Sequence, residues 1–187
     1  MNRSRQAIRR RARRCLARER GSIAHNRRMA APTPYAQYVG DRDPVAVLEE
    51  SANRYRAVRT KISDAQWQTP LAPGKWTLRQ LIVHITQWEM IFGVRVRLGV
   101  GIPNYVVQPL DQDPLMHEAE VVDPATAFDC FEALRAMNLK LAASLTPEQR
   151  RAPVTHPERG QIDVNDLLTT LAGHSVHHLL QLEKAVS

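Results

Sequence analysis

The stretch AGHSVHHLLQLE, residues 172–183, sets three histidines into five positions of a segment whose apolar residues recur every three to four. That recurrence is the 3.6-residue period of a helix with one buried face. At about 100° of turn per residue, Val164, Leu168, Leu171, Leu179 and Leu182 gather into a single stripe. Measured from the centre of that stripe, His178 lies roughly 40° away, His174 roughly 80° and His177 roughly 140°. Two imidazoles therefore flank the core, and the third faces outward. Burying imidazoles without partners costs stability, so the inward pair needs a physical reason. Residues at i and i+4 stand one above the other on a helix, the spacing used when two histidines converge on one metal ion.

Two ligands rarely complete a metal site. Residues 78–98, LRQLIVHITQWEMIFGVRVRL, supply a third by the same construction. Leu78, Leu81, Ile85, Phe92 and Val96 form their stripe, and His84 sits on its edge, roughly 90° from the centre. Thr77 and Gln80 make a capping box at the start of this helix, and Gly99 and Gly101 mark its end. If the two helices face each other, His84, His174 and His178 meet inside a bundle, where bundles build metal sites.

Two further helices complete the pattern. Asp43-Pro44 supplies an N-cap and a first-turn proline for a helix carrying Val47, Leu48, Tyr55, Val58 and Ile62. A capped turn over 63–67 follows. Asp123-Pro124 repeats the start signal for a helix with Phe128, Phe131, Leu134, Leu139, Leu141 and Leu145, and Asp163 caps the last helix, which ends near Val186. Four amphipathic helices and no convincing strand predict an all-α four-helix bundle with long inter-helix connections. The longest connection, about 22 residues over 101–122, lacks a clear period and is expected to wall a site.

The formal charge of +7 suggests nucleic acid until its distribution is inspected. Residues 1–28 hold 11 arginines against one acid, Glu19, which leaves 15 basic against 18 acidic residues in the remainder. Nucleic-acid binding through the bundle is therefore not expected. Residues 1–30 read as a basic leader, dispensable or over-extended, with Met29 resembling an ordinary start; a transit peptide or an RNA-binding arm is the alternative. The bundle domain is expected over 35–186. Cys15 and Cys130 are the only cysteines, which argues against a disulfide framework and for a cytoplasmic setting. No uncharged apolar run is long enough to span a membrane.

The segments APGKWTLRQLIVHITQWE (72–89) and LAGHSVHHLLQLE (171–183) resemble the two signatures of the DinB/YfiT-like superfamily. In the first, Pro-Gly-x-Trp-Ser/Thr leads into a helix with one metal-ligating histidine; in the second, Gly-His precedes another histidine four residues on. The resemblance spans about residues 35–186. It implies a four-helix bundle with long crossover connections and a divalent metal, zinc or nickel, held by His84, His174 and His178, with His177 as a spacer. It also implies a family that includes transferases and isomerases dependent on a low-molecular-weight thiol (bacillithiol, mycothiol or glutathione), alongside metal-dependent hydrolases. A homodimer is a further implication.

Three nitrogen ligands leave an open position on a tetrahedral ion, as catalytic zinc sites do. Such an ion would activate water for hydrolysis or bind a cosubstrate thiol as thiolate, and the same residues suit a thiol S-transferase and a hydrolase acting on a small electrophile. The alternative is a non-catalytic, stress-associated metal-binding bundle whose ion only ties two helices together. Glu89, roughly 50° from its stripe centre, fits either a catalytic or ligand-orienting carboxylate or the partner of an arginine from the first helix. Asp111, Asp113 and His117, like His156 and Glu158, either contact substrate or belong to solvated loops. Trp76 reads as packing, and Trp88, at i+4 from His84, as packing or an apolar wall beside the metal.

Overall fold

The computed structural model describes residues 31–187. The basic leader and Cys15 lie outside the described residues. Four long helices dominate: α1 (Pro44–Arg59), α2 (Leu78–Gly101), α3 (Pro124–Ser144) and α4 (Val164–Ala185). Their starts follow the local chemistry. The side chains of Asp43, Thr77, Asp123 and Asp163 accept from backbone N–H groups of the first turn, and Thr77 and Asp163 complete capping boxes with Gln80 and Asp166. A short 3-10 turn, Asp64–Gln68, carries a capping box between Ser63 and Gln66.

Both α1 and α2 pack against α3 and α4, so α1 lies across the bundle from α2 and α3 from α4, while α2 and α3 are neighbours in both sequence and space. The α1–α2 and α3–α4 connections are long because each must cross an end of the bundle to a diagonal position. The linker between α2 and α3 is not structureless. It contains a 3-10 turn at Asp113–His117 and a short helix at Glu118–Val121.

The expectation of no strand is corrected by a small three-stranded sheet. Strands β1 (Tyr105–Val106), β2 (Pro153–His156) and β3 (Gly160–Asp163) run in the order β1-β2-β3, the first pair parallel and the second an antiparallel hairpin. Strands of two and four residues are too short to show a period of two, which is why pattern reading misses them. The turn between β2 and β3 ends on Gly160 at φ +79°, a conformation that suits glycine. Val154 and Ile162 turn into the core beside Val164, and the same pairing delivers Asp163 to the start of α4.

The predicted stripes of α2 and α4 are buried throughout. On α3 the inward face is instead Ala127, Phe128, Phe131, Arg135, Asn138 and Ala142, while Leu134 and Leu139 are only partly buried. Two polar residues thus occupy core positions of that helix. They join the apolar halves of the core, one around Val47, Leu48, Phe92 and Leu168, the other around Tyr55, Leu81, Phe128 and Leu179.

Candidate metal centre

His84 projects from the second turn of α2, and His174 and His178 from successive turns of α4 where the two helices face each other. All three are buried. The Nε2 atom of His174 lies 3.1 Å from that of His84 and 3.0 Å from that of His178, and one nitrogen from each ring falls within 4.8 Å of the others. The sequence placed these residues on facing edges, and the structure brings them together.

The protons of neutral rings do not satisfy this cluster. Nδ1 of His178 donates to Gln181 Oε1 at 2.7 Å, so a neutral His178 presents a bare lone pair at Nε2. One hydrogen shared among the Nε2 atoms then serves only one of the two short contacts. A cation at the centre serves all three, and tetrahedral nitrogen ligands at 2.0–2.1 Å stand about 3.4 Å apart, near the spacing seen. The donor set and its geometry therefore fit a divalent ion. Burial pushes the pKa of His84 down to about 3 and that of His178 to about 4, and the nearby His178 adds to the effect at His84. His174 is lowered well below its ordinary range, first by burial and then by His178 and His84. The rings are held neutral, which is the ligating form.

Aromatic side chains enclose the cluster. Trp76 and Trp88 flank His84 with ring centroids 4.7 and 5.9 Å away, Trp88 also packs on His174 at 5.3 Å, and Tyr35 meets His174 edge-on at 5.1 Å. Gly173 allows the close approach of Tyr35: a Cβ there would stand 2.2 Å from its carbonyl oxygen. His177 points away from the cluster, as its helical direction requires. It is only partly solvated, however, because Tyr35 and Tyr38 pack on it and the Tyr38 hydroxyl hydrogen-bonds its Nδ1 at 2.8 Å.

Glu89 pairs with an arginine, as one of its two readings had it, but the partner comes from α3 rather than from the first helix. Its carboxylate is fully buried, accepts from Arg135 of α3 at 2.8 Å and from Asn138 at 3.0 Å, and no histidine among the described residues contacts it by hydrogen bond. Arg135 also donates to Leu48 O and Ser51 Oγ of α1 and to Ser175 Oγ of α4, so one guanidinium ties all four helices together. Nothing in the sequence flags this network except two polar residues on the spacing of a buried stripe.

Two pockets reach the histidines. A cavity of about 620 Å³ is lined by Trp76, His178, Gln181, Lys75 and Lys184. A narrower one of about 180 Å³ is lined by Tyr35, Trp88, Arg95, His156, Arg159 and His174, with Glu158 and Gln112 also on its wall. His156 and Glu158 thus join the site, whereas Asp111, Asp113 and His117 are exposed. Their hydrogen bonds stay within the loop: Asp111 caps Asp113, and His117 Nδ1 bonds Pro114 O.

Fold and site together define a four-helix bundle whose facing helices carry a buried three-histidine centre able to hold a metal ion. Residues 47–182 match the family model of the DinB superfamily, and the chain belongs to that superfamily. It is 24% identical over 141 residues to the Bacillus subtilis protein named "Putative metal-dependent hydrolase YfiT", covering 74% of this chain and 79% of that one. A Bacillus pumilus protein of the same description is 27% identical, over 74% of this chain and 81% of its own. The solved structure of Bacillus subtilis YfiT, described as having an unusual four-helix bundle topology, superposes with a TM-score of 0.69 at 23% identity, over 76% of this chain and 83% of that one. A second bundle, TT2238, gives a TM-score of 0.56 at 20% identity, over 75% of this chain and 96% of that one. No helix among the described residues is long and apolar enough to cross a membrane.

Proposed function

We propose that His84, His174 and His178 hold one divalent ion, zinc or nickel, and that the protein is a metal-dependent enzyme acting on a small electrophilic substrate. The observation that carries this reading is the convergence of three neutral Nε2 atoms between two pockets. Bound there, such an ion supplies Lewis acidity and eases deprotonation of a water or thiol. The chain's own residues do the rest. Gln181 fixes the tautomer of His178 through its Nδ1 hydrogen, and Trp76 and Trp88 hold the ring of His84 in place while keeping bulk water from it. Against the reading of a purely structural ion, the described residues supply three ligands and no fourth, and both pockets open onto the centre.

Hydrolysis and thiol transfer share these residues. The names of the relatives favour hydrolysis; the two separate pockets favour a reaction that brings a thiol cosubstrate to a second molecule. Exposed Met90 and Val94, one turn apart on α2, support a homodimer.

Elemental analysis of the purified protein is expected to show close to one divalent ion per chain. His178→Ala removes it and His177→Ala retains it; equal loss in both overturns the assignment. A model electrophile assayed with and without each low-molecular-weight thiol then separates the two chemistries, since thiol dependence is absolute in one and absent in the other.

A further inference from the structure

Arg95 stands on α2 eleven residues beyond His84, about three helical turns, and so on nearly the same face. Its side chain is buried, at 8% exposure, and lines the narrow pocket that ends on His174. The guanidinium has one hydrogen-bond acceptor, Gln108 O at 2.9 Å, and lies over the rings of Phe92 and Trp88 at 5.2 and 5.7 Å. Among the described residues no carboxylate pairs with it. Buried charges are ordinarily paired, and the other buried arginine among the described residues, Arg135, is paired with Glu89.

The surroundings of Arg95 lean the same way. Arg159, on the same pocket wall, is held by Asp166 at 3.6 Å and donates to Ala31 O, and Glu158 makes no ion pair with either arginine. Nδ1 of His156 accepts from the backbone N–H groups of Glu158 and Arg159, which leaves the ring hydrogen of a neutral His156 on Nε2. The neutral form is favoured: burial, then the charge of Arg159, lowers its pKa from the ordinary histidine value. The pocket is small, about 180 Å³, the volume of roughly six waters.

We propose that this pocket receives the anionic group, a carboxylate or a phosphate, of the molecule handled at the histidine centre, with Arg95 as its charge partner and His156 and Arg159 as supporting donors. Placing that group beside the reacting atoms rests on the metal-centre reading, but the anion site itself does not need the metal. Guanidinium recognises either oxyanion through paired N–H donors.

The test uses the full chain, stripped of metal by chelation, and titrates it calorimetrically with sodium acetate and with inorganic phosphate. One saturable site per chain is expected, weakened at least tenfold in Arg95→Met and largely recovered in Arg95→Lys. Methionine replaces a buried charge with an apolar chain of similar reach, so the variant is expected to stay folded, and far-UV circular dichroism confirms it. Stronger binding of acetate identifies a carboxylate, and stronger binding of phosphate identifies a phosphoryl group. Absence of saturable binding by the wild type, or equal binding by Arg95→Met, overturns the proposal. So does binding that appears only after metal is restored and ignores Arg95, because it puts the anion on the ion. Metal content measured on the same samples reports separately on the histidine centre.

Discussion

Arg135→Met is the sharpest test of what holds the bundle together. The wild-type guanidinium is buried and donates to four acceptors: Leu48 O, Ser51 Oγ, Glu89 Oε2 and Ser175 Oγ. Methionine fills similar space and takes away every donor. Glu89 keeps Asn138 but loses its charge partner in a place with no access to water. Breaking a buried pair from one side costs about 3–5 kcal/mol, a large share of the ~5–15 kcal/mol that holds a domain folded. For a domain of this size that lowers Tm by roughly 6–20 °C. The double variant Glu89→Gln with Arg135→Met removes both charges, and its amide still accepts from Asn138, so most of the loss is expected to return. Urea unfolding of the four proteins in a double-mutant cycle measures the coupling. A loss below about 1 kcal/mol in Arg135→Met, or a double variant no better than that single, would refute the argument that Glu89 is a structural counter-ion. If Glu89→Gln abolished turnover while its folding and metal content stayed intact, Glu89 would return as a catalytic group.

Two other expectations concern the histidines. Gln181→Leu removes the acceptor that orients His178 without touching a ligand, so metal affinity is expected to fall about 10–100-fold while the fold persists, as read by competition with a chromogenic chelator; unchanged affinity would remove Gln181 from the site. Acidification should destabilise the metal-free protein. His84, His174 and His178 have folded-state pKa values below the ~6.5 of an unfolded histidine, so the unfolded chain binds more protons and stability present above that pH is lost as pH falls. With three such groups the slope approaches ~4 kcal/mol per pH unit between the unfolded value and the folded ones near 4 and 3. Urea midpoints of chelated protein at pH 7, 6 and 5 should fall steeply, and a flat series would show that the rings are not held neutral.

The histidine centre was legible because its information is local. A stripe and an edge on one helix follow from a period of 3.6, and His84, His174 and His178 each carry their direction within a few neighbouring residues. The narrow pocket was not legible, because Tyr35, Arg95, Gln112 and His156 come from four segments whose meeting depends on the path of the connections and on two short strands. Arg135 and Asn138 hid for another reason. Arg and Asn on a helix are usually read as its solvent face, and only the helix packing makes theirs the inner one.

Apolar stripes alone fix which faces meet, but they tolerate sliding along the helix axis, since leucine packs acceptably against several neighbours. Directional bonds do not slide. Ser175 follows His174 in the chain; its hydroxyl takes a hydrogen bond from Arg135, and its carbonyl takes one from Tyr55 of α1. Glu89, five residues beyond His84, holds the other side of the same guanidinium. The two helices that carry the ligands are thus keyed to one buried arginine on a third. Specificity is a recognised use of buried charge, though not a universal one. Here it has a measurable consequence: the Glu89→Gln, Arg135→Met double variant, though restored in stability, should bind metal less tightly than the wild type because His84 can shift against His174. If its affinity is unchanged, the apolar packing alone sets the register of the centre.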